Sequence, residues 1–157
     1  MNRKEEIIME TMISLNEYLE QYQSLAVGGL KGSIMDIENS IQGYIVFVLN
    51  SEGIEVEFGL TEVEAEEWLG NCKGECLYIS GIKLVGSRIV GNFKNTSDLD
   101  VLMEYKGELR EDVVFNILNS SPMMFEDTDW NTVEVDINPI KAEKTGTIDE
   151  WLEHNYL

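Results

Sequence analysis

Gly86-Ser87-Arg88-Ile89-Val90-Gly91-Asn92-Phe93-Lys94-Asn95-Thr96-Ser97-Asp98-Leu99-Asp100-Val101 is the stretch that governs how this chain is understood. A largely apolar run, Ile82 to Val85, leads into the Gly-Ser pair, and ten residues separate Ser87 from Asp98. On a strand, Asp98 and Asp100 face the same side, because side chains alternate with a period of two. Two carboxylates aimed into one small space repel each other, so one tends to hold a proton unless a positive charge lies between them. A divalent cation removes that conflict, and hard cations such as Mg²⁺ prefer carboxylate oxygens. Glycine permits a tight turn, and N–H groups at a helix start favour an anion. The stretch therefore has the form of a phosphate cradle facing a metal-binding carboxylate pair.

The pattern Gly86-Ser87, a spacer, then Asp98-x-Asp100 followed by apolar Val101 resembles the signature of the DNA-polymerase-β-like nucleotidyltransferases. The resemblance covers residues 81–105 well and 106–151 more loosely. It implies an α/β (α+β) fold with a mixed central sheet flanked by helices, and a third carboxylate on a later strand. Asp136, within Val135-Asp136-Ile137-Asn138-Pro139-Ile140, fills that place. The resemblance further implies that Asp98, Asp100 and Asp136 are catalytic and hold Mg²⁺ or Mn²⁺. Gly86, Ser87, Arg88 and Ser97 would contact the triphosphate of an NTP, and a nucleoside monophosphate would pass to an acceptor hydroxyl. A narrower likeness, to small nucleotidyltransferase-like domains of phages and mobile elements, is prompted by Arg110-Glu111-Asp112, Phe115-Asn116, Val135 to Ile140 and Lys144-Thr145-Gly146-Thr147. Relatives often carry Arg just before the second motif glycine, where this chain has Val90.

The same residues have a plainer reading. Asp98 caps a turn, Asp100 is a strand-edge charge, and Gly86-Ser87 is an ordinary turn. Between the two stands a nucleotidyltransferase fold that has lost catalysis and binds a partner.

Composition narrows the alternatives. Thirty acidic residues against eleven basic give a formal net charge of −19. Such a surface repels nucleic acid, whose binding rests on phosphate neutralisation by Lys and Arg. It aids solubility, or attracts a basic protein partner. The alternative function from another class is accordingly an acidic interaction protein, an inhibitor or nucleic-acid mimic in a phage–host or toxin–antitoxin setting. No apolar run is long enough for a membrane span, and residues 1–6 lack the apolar centre of a signal peptide, which points to the cytoplasm. A single histidine, His154, argues against Ser-His-Asp and Cys-His hydrolases, and no P-loop is present. Cys72 and Cys76, with glycines at 70 and 74, are expected in a loop, as a reduced pair without function. They are too few for a structural zinc site, which usually takes four Cys or His ligands.

At 157 residues the chain is expected to form one compact unit, with a helical arm over 1–35 and a nucleotidyltransferase-like domain over 36–157. In the arm, Ile7, Ile8, Met12, Leu15, Tyr18 and Leu19 recur at helical spacing over 4–23, a stripe suited to the core or to a homodimer face. Asp36 is a plausible N-cap for a helix through Ile37, Ile41 and Ile45. Tyr44-Ile45-Val46-Phe47-Val48, however, is rich in strand formers, and the expectation leans to a strand at 43–49, paired as a hairpin with 54–59. Thr61 and Glu64 form a capping-box pattern ahead of a helix through Trp68 and Leu69. A strand, or a strand with a break at Gly81, delivers Gly86-Ser87, and a short helix at 88–94 follows. Leu99, Val101 and Met103 face one side of the next strand, with Asp98, Asp100, Leu102 and Glu104 on the other. Glu104 either extends that acidic face or marks a solvated strand end, and the expectation leans to the strand end. A helix at 109–119 buries Val113, Val114, Ile117 and Leu118, and 120–128 is a loop. The strand from Thr132 carries Glu134 and Asp136 on one side and ends at Pro139. Thr147 and Glu150 cap a last helix bearing Trp151 and Leu152.

Overall fold

A computed structural model describes residues 29, 30, 32–86, 94 and 97–156. The helical arm expected over 4–23 lies outside these residues, as does the short helix expected at 88–94 apart from Lys94. Leu30 already packs into the core, and its backbone bridges to Asp127.

The first helix, α1 (Ile34–Ser51), replaces the strand expected at 43–49. Ile34, Ile37, Ile41, Ile45 and Leu49 recur every three or four residues and are all buried, whereas Phe47 is 72% exposed. A strand would have put Ile45 and Phe47 on the same face. Full burial of a side chain of this size is worth about 1.5–3 kcal/mol, so a five-residue stripe outweighs the strand propensity of 44–48. The N-cap is Ser33, not Asp36. Asp36 donates its backbone N–H to Ser33 Oγ, and the Asp36 carboxylate accepts the Ser33 N–H, closing a capping box.

The expected hairpin is absent for the same reason. β1 (Glu55–Phe58) instead pairs in parallel with β2 (Cys76–Val85), and α2 (Glu62–Gly70), capped by Thr61 and Glu64 as expected, forms the crossover. β2 pairs antiparallel with β3 (Leu99–Gly107), and β3 pairs in parallel with β5 (Thr132–Lys141) through α3 (Glu111–Asn119). The short β4 (Met124–Glu126), inside the expected loop, pairs antiparallel with β5. The mixed five-stranded sheet has the order β1-β2-β3-β5-β4, and α4 (Ile148–Tyr156) completes the described chain. No described helix is long and apolar enough to cross a membrane.

One sheet face packs against α1 and α3 around Leu77, Leu84, Val101, Met103 and Val135. On the opposite face Val85, Leu102 and Ile140 meet Ile148 and Leu152 of α4. The break at Gly81 is a register shift between Ile79 and Gly81. Leu77 and Ile79 are odd-numbered and Ile82 and Leu84 even, so one extra residue between them lets both halves of β2 face the same core. Gly81 also receives α4, since a Cβ there would stand 3.0 Å from Ile148 Cδ1. Glu104 is not a solvated strand end. Its carboxylate accepts the Ile148 N–H at 2.8 Å and the Ser80 hydroxyl, and so holds the start of α4.

β5 runs through Pro139 rather than ending there. On its outer edge, Val135 N–H bonds to Met123 O, Ile137 N–H to Asn119 Oδ1, and Lys141 N–H to Glu111 Oε2. The outward donors are thus the odd-numbered residues, and at 139 proline has none to satisfy. Asn119 also donates to Ile137 O at 2.9 Å, so its amide substitutes for a neighbouring strand. Asn119→Ala strands both Ile137 groups. It should cost about 1–3 kcal/mol in urea denaturation, against a few tenths for replacing exposed Asn39. A loss no larger than that of Asn39→Ala would refute this role.

Candidate functional site

β3 and β5 place Asp100 directly opposite Asp136 across a parallel pair, and β2 places Val85 opposite Asp100 on the other side. Val85, Asp100 and Asp136 therefore form one row across three strands, on the face that carries α4. Asp98 stands one residue before β3 and is exposed, while Asp100 and Asp136 are half-buried. Their depth follows from β3, a central strand whose Leu99, Val101 and Met103 are fully buried.

Gly86 ends β2 against this row. Its φ is +85°, and a Cβ there would stand 2.5 Å from Asp100 Oδ2. Both the left-handed backbone and the approach of the carboxylate require glycine. Ser97 closes a turn, its Oγ accepting the Lys94 N–H at 2.8 Å and its own N–H donating to Lys94 O. Of the expected triphosphate contacts, Ser87 and Arg88 lie outside the described residues. Glu134, on the same face as Asp136, is exposed.

The Asp100 carboxyl is pushed above the usual carboxylate range, first by burial, then by the charge of Asp136, then by that of Asp98. The row thus has the electrostatic conflict expected from the sequence. Three metal-ligating atoms within 4.8 Å of one another occur, among the described residues, at Glu55, Cys72 and Cys76 and not at the aspartates. The aspartate trio is more open than a ready-made single-ion site.

The second cluster was not foreseen. Cys72 and Cys76 are joined as a disulfide rather than reduced. Cys76 pairs with Glu55 across β1 and β2, which brings Cys76 Sγ to 3.8 Å from Glu55 Oε2. The spacing of the cysteines was visible in the sequence, but Glu55 joins them only through strand pairing.

No protein-family model, curated protein or solved structure matches the chain. The resemblance to nucleotidyltransferases rests on the motif.

The raised Asp100 carboxyl has a consequence for stability. A carboxyl whose pKa is higher in the folded state favours folding at low pH, and that contribution is lost as pH rises through the folded value. In metal-free protein, Asp100→Asn should be neutral or stabilising near pH 7, and its advantage over wild type should shrink as pH falls. Urea denaturation across that range checks it. A loss well beyond about 1 kcal/mol, the typical cost of a point mutation, would assign Asp100 a structural role instead.

Proposed function

We propose that this protein is a metal-dependent nucleotidyltransferase that moves a nucleoside monophosphate from an NTP to an acceptor hydroxyl. The observation that carries the reading is the cross-strand pair Asp100–Asp136 with Gly86 pressed against Asp100. An all-carboxylate donor set suits Mg²⁺ or Mn²⁺ rather than a softer ion. Burial and, after it, the charges of Asp136 and Asp98 raise the Asp100 carboxyl, and a cation relieves the charge crowding. Gly86 lets the Asp100 carboxylate approach the backbone, where a Cβ would stand 2.5 Å from its oxygen.

In this reading Asp98, Asp100 and Asp136 hold the cations. Cations held there would supply charge neutralisation for the triphosphate and for the attacking oxygen. Gly86, with Ser87 and Arg88 beyond it, takes the triphosphate. Ser97 is assigned to the same end of the site and steadies the turn before Asp98. Asp136 accepts the proton of the acceptor hydroxyl. The net charge of −19 favours a protein or small-molecule acceptor over nucleic acid.

That same charge supports a second reading, an acidic interaction protein that binds a basic partner without catalysis. The double variant Asp98→Asn/Asp100→Asn separates the two. For an enzyme, label from a radiolabelled NTP reaches an acceptor in cell extract, or the protein itself, and falls to background in the variant. Millimolar Mn²⁺ should also raise the melting temperature of wild type but not of the variant, because a ligand of the folded state stabilises it. For an acidic binder, the variant keeps its partner, and salt weakens binding strongly. Absence of transfer by wild type from all four NTPs, with Mg²⁺ and Mn²⁺ both tried, would overturn the catalytic reading.

A further inference from the structure

We propose that Glu55, Cys72 and Cys76 form a redox-gated zinc site, closed while the cysteines are joined and open once they are reduced. The site is built by the fold. Parallel pairing sets Glu55 opposite Cys76, and the loop Cys72-Lys73-Gly74-Glu75-Cys76 brings the second sulfur back to the first, with Cα atoms 6.4 Å apart. One ligand atom from each of the three residues lies within 4.8 Å of the others.

The surroundings favour a cation. Cys72 and Cys76 line a cavity of about 400 Å³ whose wall also holds Glu75, Glu108 and Glu143, with no basic side chain in that wall among the described residues. Two thiolates select a softer ion than the aspartate row does, so zinc is favoured over Mg²⁺. Three protein ligands leave a fourth position open, as at zinc sites that keep a water. The cysteines alone are too few for such a site. Glu55 supplies what the sequence pattern lacked.

The gate follows from sulfur chemistry. In the disulfide, both sulfurs are bonded to each other and neither is a thiolate. A dithiol reductant breaks the Cys72–Cys76 bond, transfers two protons and two electrons to the sulfurs, and becomes a disulfide itself. Zinc then displaces the two thiol protons to solvent. A stabilising role explains this disulfide less well. In the chain-entropy account a crosslink contributes more as its loop lengthens, and this loop spans only five residues.

β2 separates this site from Gly86 by roughly 30 Å of strand, so the two metal sites can be tested apart. Co²⁺ is the spectroscopic stand-in, titrated into the full chain with excess Mg²⁺ to occupy the aspartates. The reduced protein should develop thiolate-to-cobalt charge-transfer absorption that saturates at one equivalent and is bleached by one equivalent of Zn²⁺. The oxidised protein should show none. Cys72→Ser should abolish the saturable band, and Glu55→Gln should weaken cobalt binding by about tenfold or more. Lack of the band in the reduced wild type, equal uptake by the oxidised form, or unchanged affinity in Glu55→Gln would each overturn the proposal. The comparison of oxidised with reduced wild type stands even where a variant folds poorly.

Discussion

The parallel pairing of β3 with β5 is the constraint on which the rest of the molecule depends. Parallel neighbours need a crossover, and here the chain between them carries α3 and the β4 edge. That crossover brings α3 onto the face already covered by α1, and the two helices bury Val101, Met103, Val135 and Ile137 beneath them. The same register sets Asp100 against Asp136. A slip of either strand by one residue would turn its own carboxylate into the apolar core. The apolar face of the sheet thus enforces the meeting of two like charges on the other face. This is a local conflict of the kind that folded proteins tolerate mainly at functional sites.

The acidity of the chain is less diffuse than its net charge suggests. Glu104 holds the start of α4, and Glu111 accepts the Lys141 N–H and the Thr145 hydroxyl. Asp127, buried at 3% exposure, accepts the Asp129 and Asn131 N–H groups and closes the β4–β5 connection, where Trp130 has a φ of +67°. In each case a carboxylate satisfies backbone donors that would otherwise be left unpaired at a helix start, a sheet edge or a turn. A surface made for charge alone would not need these placements. They explain part of the acidic excess by folding rather than by a partner.

β2 joins two different chemistries. Its C-terminal end runs up to Gly86 against the Asp100 carboxylate, and its N-terminal end carries the Cys76 sulfur beside Glu55. The bulge at Gly81 divides the strand between them. It keeps the apolar side chains of both halves on one core face, and α4 packs into the space it leaves.

Much of this was legible in the sequence. The capping box at Thr61, the Glu150 N–H held by the Thr147 hydroxyl, the break in β2 and the alternation around Asp100 and Asp136 all rest on local rules of periodicity and side-chain length. The sequence by itself therefore determined the mixed α/β character and the face of β5 that Glu134 and Asp136 share. Tertiary structure alone decided the rest. Residues 44–48 form helix because a buried isoleucine stripe outweighs their β propensity, and that burial exists only once the sheet is there to cover it. Pro139 continues a strand because its missing donor falls on an edge that Asn119 and Glu111 satisfy on either side. Glu55 reaches Cys76, twenty-one residues away, through a parallel register that no local pattern encodes. Cross-strand partnership is set by which faces must be buried together, and that is a property of the assembled core.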